Sequence, residues 1–278
     1  MNYRHAYHAG NFADCMKHAL LVWLLRALAR KPAGFAVLDT HAGAGSTNLE
    51  ADAATRTGEW RQGIGRLLDA KPAEALADYL GLVRAAGAIA HYPGSPRLTR
   101  TLLRPQDRLT CCELQLQDHA SLHRLFRGDP QVAVHARDGW EAICALLPPR
   151  EARRGLTLID PPFEQPGEFD RIVRAIRTAR RRFGAGIVAA WYPIKHRAPV
   201  RDFHDRLRQA AEPDVVCAEL LLRPPLDAAR LNGCGLLVAA PPWGFEPAAT
   251  AILDAVADGL GESGAHGSLT RITPPVAP

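Results

Sequence analysis

Apolar positions recur at helical spacing from about Asn11 to Arg30, where Ala13, Met16, Leu20, Leu24 and Leu28 share one face, and Lys31-Pro32-Ala33-Gly34 ends the pattern. The period then changes to short, continuous apolar runs. They fall at Phe35 to Leu38, Arg108 to Glu113, Gln131 to His135, Gly155 to Ile159, Gly186 to Ala190, Val215 to Leu222 and Gly235 to Ala239. Helical segments separate most of them, at Leu116 to Phe126, Gly139 to Leu147, Phe169 to Arg182 and Val200 to Ala211. Strands that alternate with helices and show no polar face predict an α/β fold, with a mostly parallel sheet covered on both sides. The last strands lie closer together, which suits an antiparallel edge. From about Asn48 to His91 no strand is visible and Ala, Leu, Glu and Arg dominate, so this stretch reads as a helical insertion. The expected division is therefore a core of residues 1–47 and 92–278 and an inserted helical subdomain of residues 48–91. The tail from Gly259 onward, rich in Gly, Ser, Thr and Pro, predicts no element, and there is no internal repeat.

Composition narrows the class without identifying it. A chain of 278 residues, 47% hydrophobic and 23% charged, has the balance of a soluble globular protein. No apolar run approaches a membrane span, and Met1-Asn2-Tyr3-Arg4-His5 lacks the features of a secretory signal, so a cytoplasmic location is expected. The six cysteines show no metal-binding spacing and several lie in strand-like runs, which favours reduced, buried thiols. A net charge of +5 with pI near 9.0 favours an anionic partner, although a mildly basic surface can also serve solubility alone.

Chemistry enters at Asp160-Pro161-Pro162-Phe163, directly behind the apolar run Gly155 to Ile159. A buried strand that stops at an acid and two prolines projects Asp160, the Pro161 carbonyl and the Phe163 ring past its carboxyl end, where open α/β sheets bind ligands. An exocyclic base amine shares its lone pair with the ring and is a poor nucleophile until acceptors draw it toward tetrahedral geometry. Asp160 and the Pro161 carbonyl can accept its two protons, while Phe163 stacks on the base. The plainer alternative is a turn whose acid caps the next segment. Ala240-Pro241-Pro242-Trp243 ends a strand in two prolines with no acid, so the signal lies in the acid and the aromatic together.

The strands before it form an ordered series. Asp39-Thr40-His41-Ala42-Gly43-Ala44-Gly45 allows a tight turn and close backbone approach to a ligand, but Asn48 stands where a dinucleotide loop wants a third glycine, and no Gly-Lys-Ser/Thr follows. S-adenosylmethionine fits such a turn better than NAD or a nucleoside triphosphate. Glu113 ends the second strand, where an acid would hold ribose hydroxyls, and Asp138-Gly139 follows the third, near the expected adenine.

Tyr3-Arg4-His5, His8-Ala9-Gly10-Asn11, Asp14, Lys17-His18, the turn from Leu38 to Gly45, Thr57-Gly58-Glu59, Tyr92-Pro93-Gly94-Ser95-Pro96 and Asp160-Pro161-Pro162-Phe163 together resemble the RlmJ family of bacterial ribosomal RNA methyltransferases. The resemblance runs from the amino terminus to Pro241-Pro242-Trp243. It implies a Rossmann-like S-adenosylmethionine-dependent core with a small helical insertion, and methyl transfer to N6 of adenine 2030 in 23S rRNA. It assigns His18, His41, Ser95, Glu113, Asp138, Gly139 and Asp160 to the cofactor, beside Gly43 of the glycine turn. Asp160, Pro161 and Phe163 become catalytic, and Tyr3, Lys17 and Phe163 address the substrate. Phe163 stands where many relatives carry tyrosine, which keeps stacking and loses a phenol hydrogen bond.

Other features stay open. His5, His8, Asp14 and His18 cluster in sequence, but methyl transfer needs no Lewis acid and no metal is expected. His119 and His123, one helical turn apart, read as a solvated face. The row Arg171, Arg174, Arg177, Arg180, Arg181 and Arg182 is either a wet helix face or an RNA contact, and Arg4, Arg61, Arg66, Lys195, His196 and Arg197 are further candidates. An N6-adenine DNA methyltransferase and a noncatalytic RNA-binding module are the competing functions.

Overall fold

A computed structural model describes residues 8–51 and 57–275. Its first helix, α1 (Phe12–Ala29), begins where the Asn11 side chain accepts the Ala13 and Asp14 amides at 3.0 and 3.1 Å, which satisfies two donors the helix leaves open. Fifteen of its eighteen residues are buried, so the single apolar face expected for this segment is too narrow. The cause is packing on more than one side: α1 touches the sheet, helical turns between residues 61 and 86, and the helix of residues 245–260. Asp14, Lys17 and His18 are buried along with the apolar residues and must find partners inside.

After α1 come β1 (Ala36–Asp39), β2 (Ser46–Thr47), a π-helical turn (Arg61–Gly65) leading into α2 (Arg66–Asp69), a 3-10 turn (Glu74–Leu76) and α3 (Ala77–Ala86). Then follow β3 (Tyr92–Pro93), α4 (Ser95–Leu102), β4 (Arg108–Cys112), α5 (Leu116–Leu125), β5 (Val132–His135), α6 (Gly139–Leu146), β6 (Gly155–Ile159) and α7 (Glu168–Arg182). The chain closes with β7 (Gly186–Ile194), α8 (Arg197–Ala210), β8 (Val215–Leu221), β9 (Gly233–Ala239), α9 (Phe245–Leu260) and β10 (His266–Thr273).

Eight strands form one sheet in the order β10-β8-β9-β7-β6-β1-β4-β5, and β2 pairs separately with β3. From β5 to β7 neighbours run parallel, whereas β9 is antiparallel to both β7 and β8, and β10 to β8. The expected antiparallel edge is therefore present. Alternate residues feed two cores: Val37, Leu156, Leu158, Ile187 and Ala189 join the α1 side, while Leu38, Ile159, Val188 and Ala190 join α6, α7 and α8. The chain leaves β1 for β4 and β5, then returns to β6 on the other side of β1. That reversal opens a crevice at the carboxyl ends of β1 and β6, where the loops part in opposite directions.

The sequence pattern misses β10, α9, α4 and the β2–β3 ribbon. β10 is an edge strand whose residues are mostly half-exposed, so no continuous apolar run marks it. In the stretch 48–91, Leu49, Ile64, Leu67, Leu76, Tyr79, Leu80 and Val83 belong to the same buried cluster as α1. Among the described residues no helix is long and apolar enough to cross a membrane.

Backbones of β1 and β6 meet closely beside Gly155, where an added Cβ would lie 2.0 Å from the Ala36 carbonyl oxygen. Gly155→Ala should therefore destabilise the fold by about 1–3 kcal/mol through overpacking, read as a lower midpoint of denaturant unfolding. An unchanged midpoint would show that the two strands separate there without cost.

Candidate active site

A cavity of about 880 Å³ opens at this crevice, within the range of roughly 300–1,000 Å³ typical of small-molecule sites. Its wall is made by the first turns of α1, the loop after β1, the end of β4, the start of α6 and the loop after β6. The loops following β7 and β8 complete the rim.

The half built on β1, β4 and α6 is shaped by glycine. Gly43 and Gly45 have φ of 62° and 77°, the left-handed region that other residues rarely occupy. A Cβ on Gly45 would strike Leu122 and Leu125 at 2.7 and 2.8 Å, but one on Gly43 would meet nothing within 4 Å. The turn is therefore packed against α5 on one side and open on the other. A Cβ on Gly139 would lie 2.1 Å from the Thr40 carbonyl oxygen, so only glycine lets α6 approach the turn this closely.

Acids stand around this turn. Glu113 accepts the Gly43 amide at 2.8 Å on one oxygen and the Gln115 amide at 2.7 Å on the other, so it pins the turn to the end of β4; burial raises its pKa. Asp138 caps α6 by accepting the Trp140 and Glu141 amides at 2.7 and 3.2 Å. Thr40 gives its hydroxyl proton to the Leu158 carbonyl at 2.9 Å, so the His41 Nδ1–H donates to the threonine oxygen at 2.8 Å and Nε2 keeps a lone pair. Burial lowers the His41 pKa to about 4, so this ring is neutral at pH 7, with the Trp140 ring edge-on at 5.2 Å. Beneath the turn Asp39 is fully buried, accepts the Ser95 hydroxyl at 2.7 Å, and is pushed by burial up to about 7.

The other half centres on Asp160. Its Oδ2 pairs with the Lys17 ammonium, which also binds Asp14 Oδ1 at 3.0 Å. Burial works against the charge of Lys17, yet Asp14 and Asp160 outweigh it and raise the pKa, so the ammonium stays charged. Asp14 in turn accepts the Gly10 amide at 2.9 Å, and a Tyr79 to Tyr92 to His18 chain of hydrogen bonds (2.9 and 3.0 Å) runs beside it. Phe163 has φ of 53°, a strained conformation for a bulky residue, and its ring packs T-shaped with Phe169 and Trp191, centroids 5.1 and 5.8 Å away.

His18, His41, Gly43, Ser95, Glu113, Asp138, Gly139, Asp160, Pro161, Phe163 and Lys17 all line this one cavity. Tyr3, with Arg4 and His5, lies outside the described residues. The arginine row does not act as one face. Arg171 lines the cavity, Arg180 pairs with Glu212 at 3.3 Å, and Arg182 donates to the Leu147 carbonyl at 2.8 Å. Lys195 also lines the cavity, whereas Arg197 pairs with Glu219 at 2.8 Å and Arg61 stacks over Trp60 at 4.8 Å. Sequence reasoning missed Trp140 and Trp191 on the wall, and the link from His8 and Asn11 to Glu59 at 2.8 and 3.0 Å. Among the described residues no group of three or more His, Cys, Asp or Glu is placed to hold a metal.

A parallel sheet with a reversed antiparallel β7-β9-β8 end, an open glycine turn after β1 and an Asp-Pro-Pro-Phe end on β6 define a Rossmann-like methyltransferase. The chain belongs to the family described as ribosomal RNA large subunit methyltransferase D, RlmJ, whose model matches residues 32–273. It is 37% identical over 251 residues to a Haemophilus influenzae protein named ribosomal RNA large subunit methyltransferase J, covering 88% of this chain and 89% of that one. The Escherichia coli protein of the same name is 36% identical over 280 residues, 99% of each chain. The crystal structure of protein LPL1258 from Legionella pneumophila, 31% identical, superposes with a TM-score of 0.86 over 95% of this chain and 98% of that one.

Asp39 generates a pH prediction. Its folded pKa is raised from 3.8 to about 7, so the folded state holds the proton longer; the contribution is full below pH 4, is lost as pH rises to 7, and is flat above. Relative to Asp39→Asn, the native protein should lose on the order of a few kcal/mol of stability between pH 4 and 7.5, at about 1.4 kcal/mol for each tenfold difference in proton affinity between the folded and unfolded chain. Parallel denaturation curves for the two proteins across that range would contradict the buried, proton-holding acid.

Proposed function

We propose that this protein is a 23S rRNA adenine-N6 methyltransferase that uses S-adenosylmethionine, acting in the cytoplasm before the ribosomal subunit is complete. The observation that carries the reading is Asp160: it ends the central strand β6 on the cavity wall, facing the same cavity as the open glycine turn of β1, with one oxygen tied to a buried ammonium. Family membership supports ribosomal RNA as the substrate class.

The chain's residues fit the cofactor. The free space beside Gly43 would admit its body, and Glu113 and Asp138 make this half electronegative, as suits a group with a sulfonium and an ammonium. His18, His41, Gly43, Ser95, Glu113, Asp138, Gly139 and Asp160 would hold it. S-adenosylmethionine supplies an electrophilic methyl carbon, so the protein's task is to position the amine, accept its protons and exclude water.

Asp160 Oδ2 is held by Lys17, and Oδ1 has no hydrogen-bond partner among the described residues. Oδ1 and the Pro161 carbonyl accept the two amine protons and turn the nitrogen lone pair toward the methyl donor. Asp160 orients the amine and need not deprotonate it before attack; once methylation makes the nitrogen acidic, its proton passes to Asp160 or to water. Lys17 thus serves the substrate through Asp160, while Phe163 offers a ring face to the base and Tyr3 completes the substrate side. The target adenine must be unstacked to enter, which favours an exposed nucleotide over a paired one. Residues 48–91, as an inserted subdomain on the core of 1–47 and 92–278, brace this entrance: Glu59 holds His8 and Asn11, and the Ile64 amide donates to Gly10 at 2.8 Å, next to the Gly10–Asp14 bond.

Asp160→Ala should reduce methyl transfer by about 10²–10³-fold or more, the scale of losing one aimed electrostatic group, while calorimetry still detects S-adenosylhomocysteine binding. The product is read by mass spectrometry of nuclease-digested 23S rRNA, with a matched DNA strand as comparison. Near-native methylation by the variant would overturn the assignment of Asp160, and preferential methylation of the DNA would overturn the substrate.

A further inference from the structure

The cavity is electrically divided. Glu113, Asp118 and Asp138 line the β4 and β5 side, whereas Arg171, Lys195, Arg223 and Arg230 line the side formed by α7 and by the loops after β7 and β8. On the basic side stand two other carboxyls, exposed Glu164 and buried Glu168, so cations prevail at its open edge. We propose that Lys195, Arg223, Arg230 and Arg171 form a phosphate-binding rim that grips the RNA backbone flanking the flipped adenine. The proposal deepens the function above and rests on RNA being the substrate.

This rim is built rather than incidental. Asn232, buried at the start of β9, donates through its side-chain amide to the Lys195 carbonyl at 2.8 Å and to the Asp227 carbonyl at 2.6 Å. One amide therefore ties the residue after β7 to the loop between β8 and β9. Arg223 is fixed by the Leu231 carbonyl at 2.9 Å and Glu262 at 2.6 Å, while its buried Nε has no partner. These two bonds hold the Arg223 guanidinium in place on the cavity wall, where its charge can serve an incoming anionic oxygen. Arg230 is exposed and only loosely paired, 3.8 Å from Glu262, and exposed Lys195 and Arg171 form no ion pair among the described residues. Pro224 and Pro225 stiffen the loop, so little order is lost when phosphates bind. A flipped nucleotide carries its base into the cavity and leaves its two phosphates at the edge, where these cations stand.

The test is anisotropy of a fluorescein-labelled single-stranded RNA of about 20 nucleotides, titrated at several salt concentrations, which reads binding whether or not methylation follows. With Lys195→Gln and Arg230→Gln combined, the Kd should rise tenfold or more. The slope of log K against log salt should fall by about 1.4, at roughly 0.7 per lost contact on a single strand. Affinity for S-adenosylhomocysteine should hold, and KM for RNA should rise with little change in kcat. Arg177→Gln with Arg201→Gln removes the same charge from exposed sites outside the cavity wall and should leave Kd and slope as in the native protein. The rim is overturned if the first pair binds RNA with native Kd and slope, if the second pair weakens binding equally, or if the native protein binds no RNA. A native protein that binds RNA through the rim but methylates none overturns only the catalytic reading.

Discussion

The ammonium of Lys17 is the interaction on which the site depends. A lone buried charge would cost many kcal/mol, so Lys17 is tolerable only because Asp14 and Asp160 flank it, and its ammonium in turn offsets the charge of both carboxylates. The three groups come from two distant parts of the chain, the first turns of α1 and the end of β6. Asp14 extends the link to the Gly10 amide, and Gly10 to the insertion through Ile64. The cluster thus adjusts Asp160 and at the same time fixes how the amino-terminal segment and residues 48–91 sit beside the cavity. Such a pair adds little stability over an apolar equivalent, so its value here lies in geometry: it leaves one oxygen of Asp160 engaged and the other free.

What could be read from the sequence follows burial. Strands β6, β8 and β9 are buried on both faces, so their apolar runs stand out whatever the neighbours are. Edge strand β10 carries Ser268, Thr270 and Arg271 between its apolar residues, which blurs its period, and α4 is only 8 residues long with Pro96 in its first turn, too short for its period to stand out. Glu113, Asp138 and Asp160 were legible for a different reason, because each is an acid at or shortly after the end of a strand. The Lys17–Asp160 pair spans 143 positions and His8–Glu59 spans 51, so no local pattern could announce them. The helix α1 shows the limit from the other side: its polar residues look like the wet face of an amphipathic helix until the insertion and α9 cover them.

Division of the cavity by charge follows from the topology. The strand order reverses between β1 and β6, so the loops on either side come from separate halves of the chain and carry different chemistry. On the β4 and β5 side, acids cap a helix and pin the glycine turn through backbone amides. On the side of β7 and β8, antiparallel pairing with β9 replaces a crossover helix by a short loop, and that loop holds arginines at the edge. The two sides of Asp160 thus present separate electrostatic fields, one suited to the proposed cationic cofactor and the other to the proposed anionic polymer.

Phe163 shows how the meeting point is held open. Two prolines fix the chain before it, and the left-handed backbone at Phe163 costs on the order of 1–3 kcal/mol, a strain that persists only when surrounding contacts over-determine it. Phe169 and Trp191 supply those contacts edge-on. A phenylalanine here needs no polar partner when the cavity is empty. A tyrosine hydroxyl at the same ring would have to be satisfied in both states. The aromatic cluster thus permits phenylalanine at this position, and the proposed orientation of the amine by Asp160 and the Pro161 carbonyl requires no phenol.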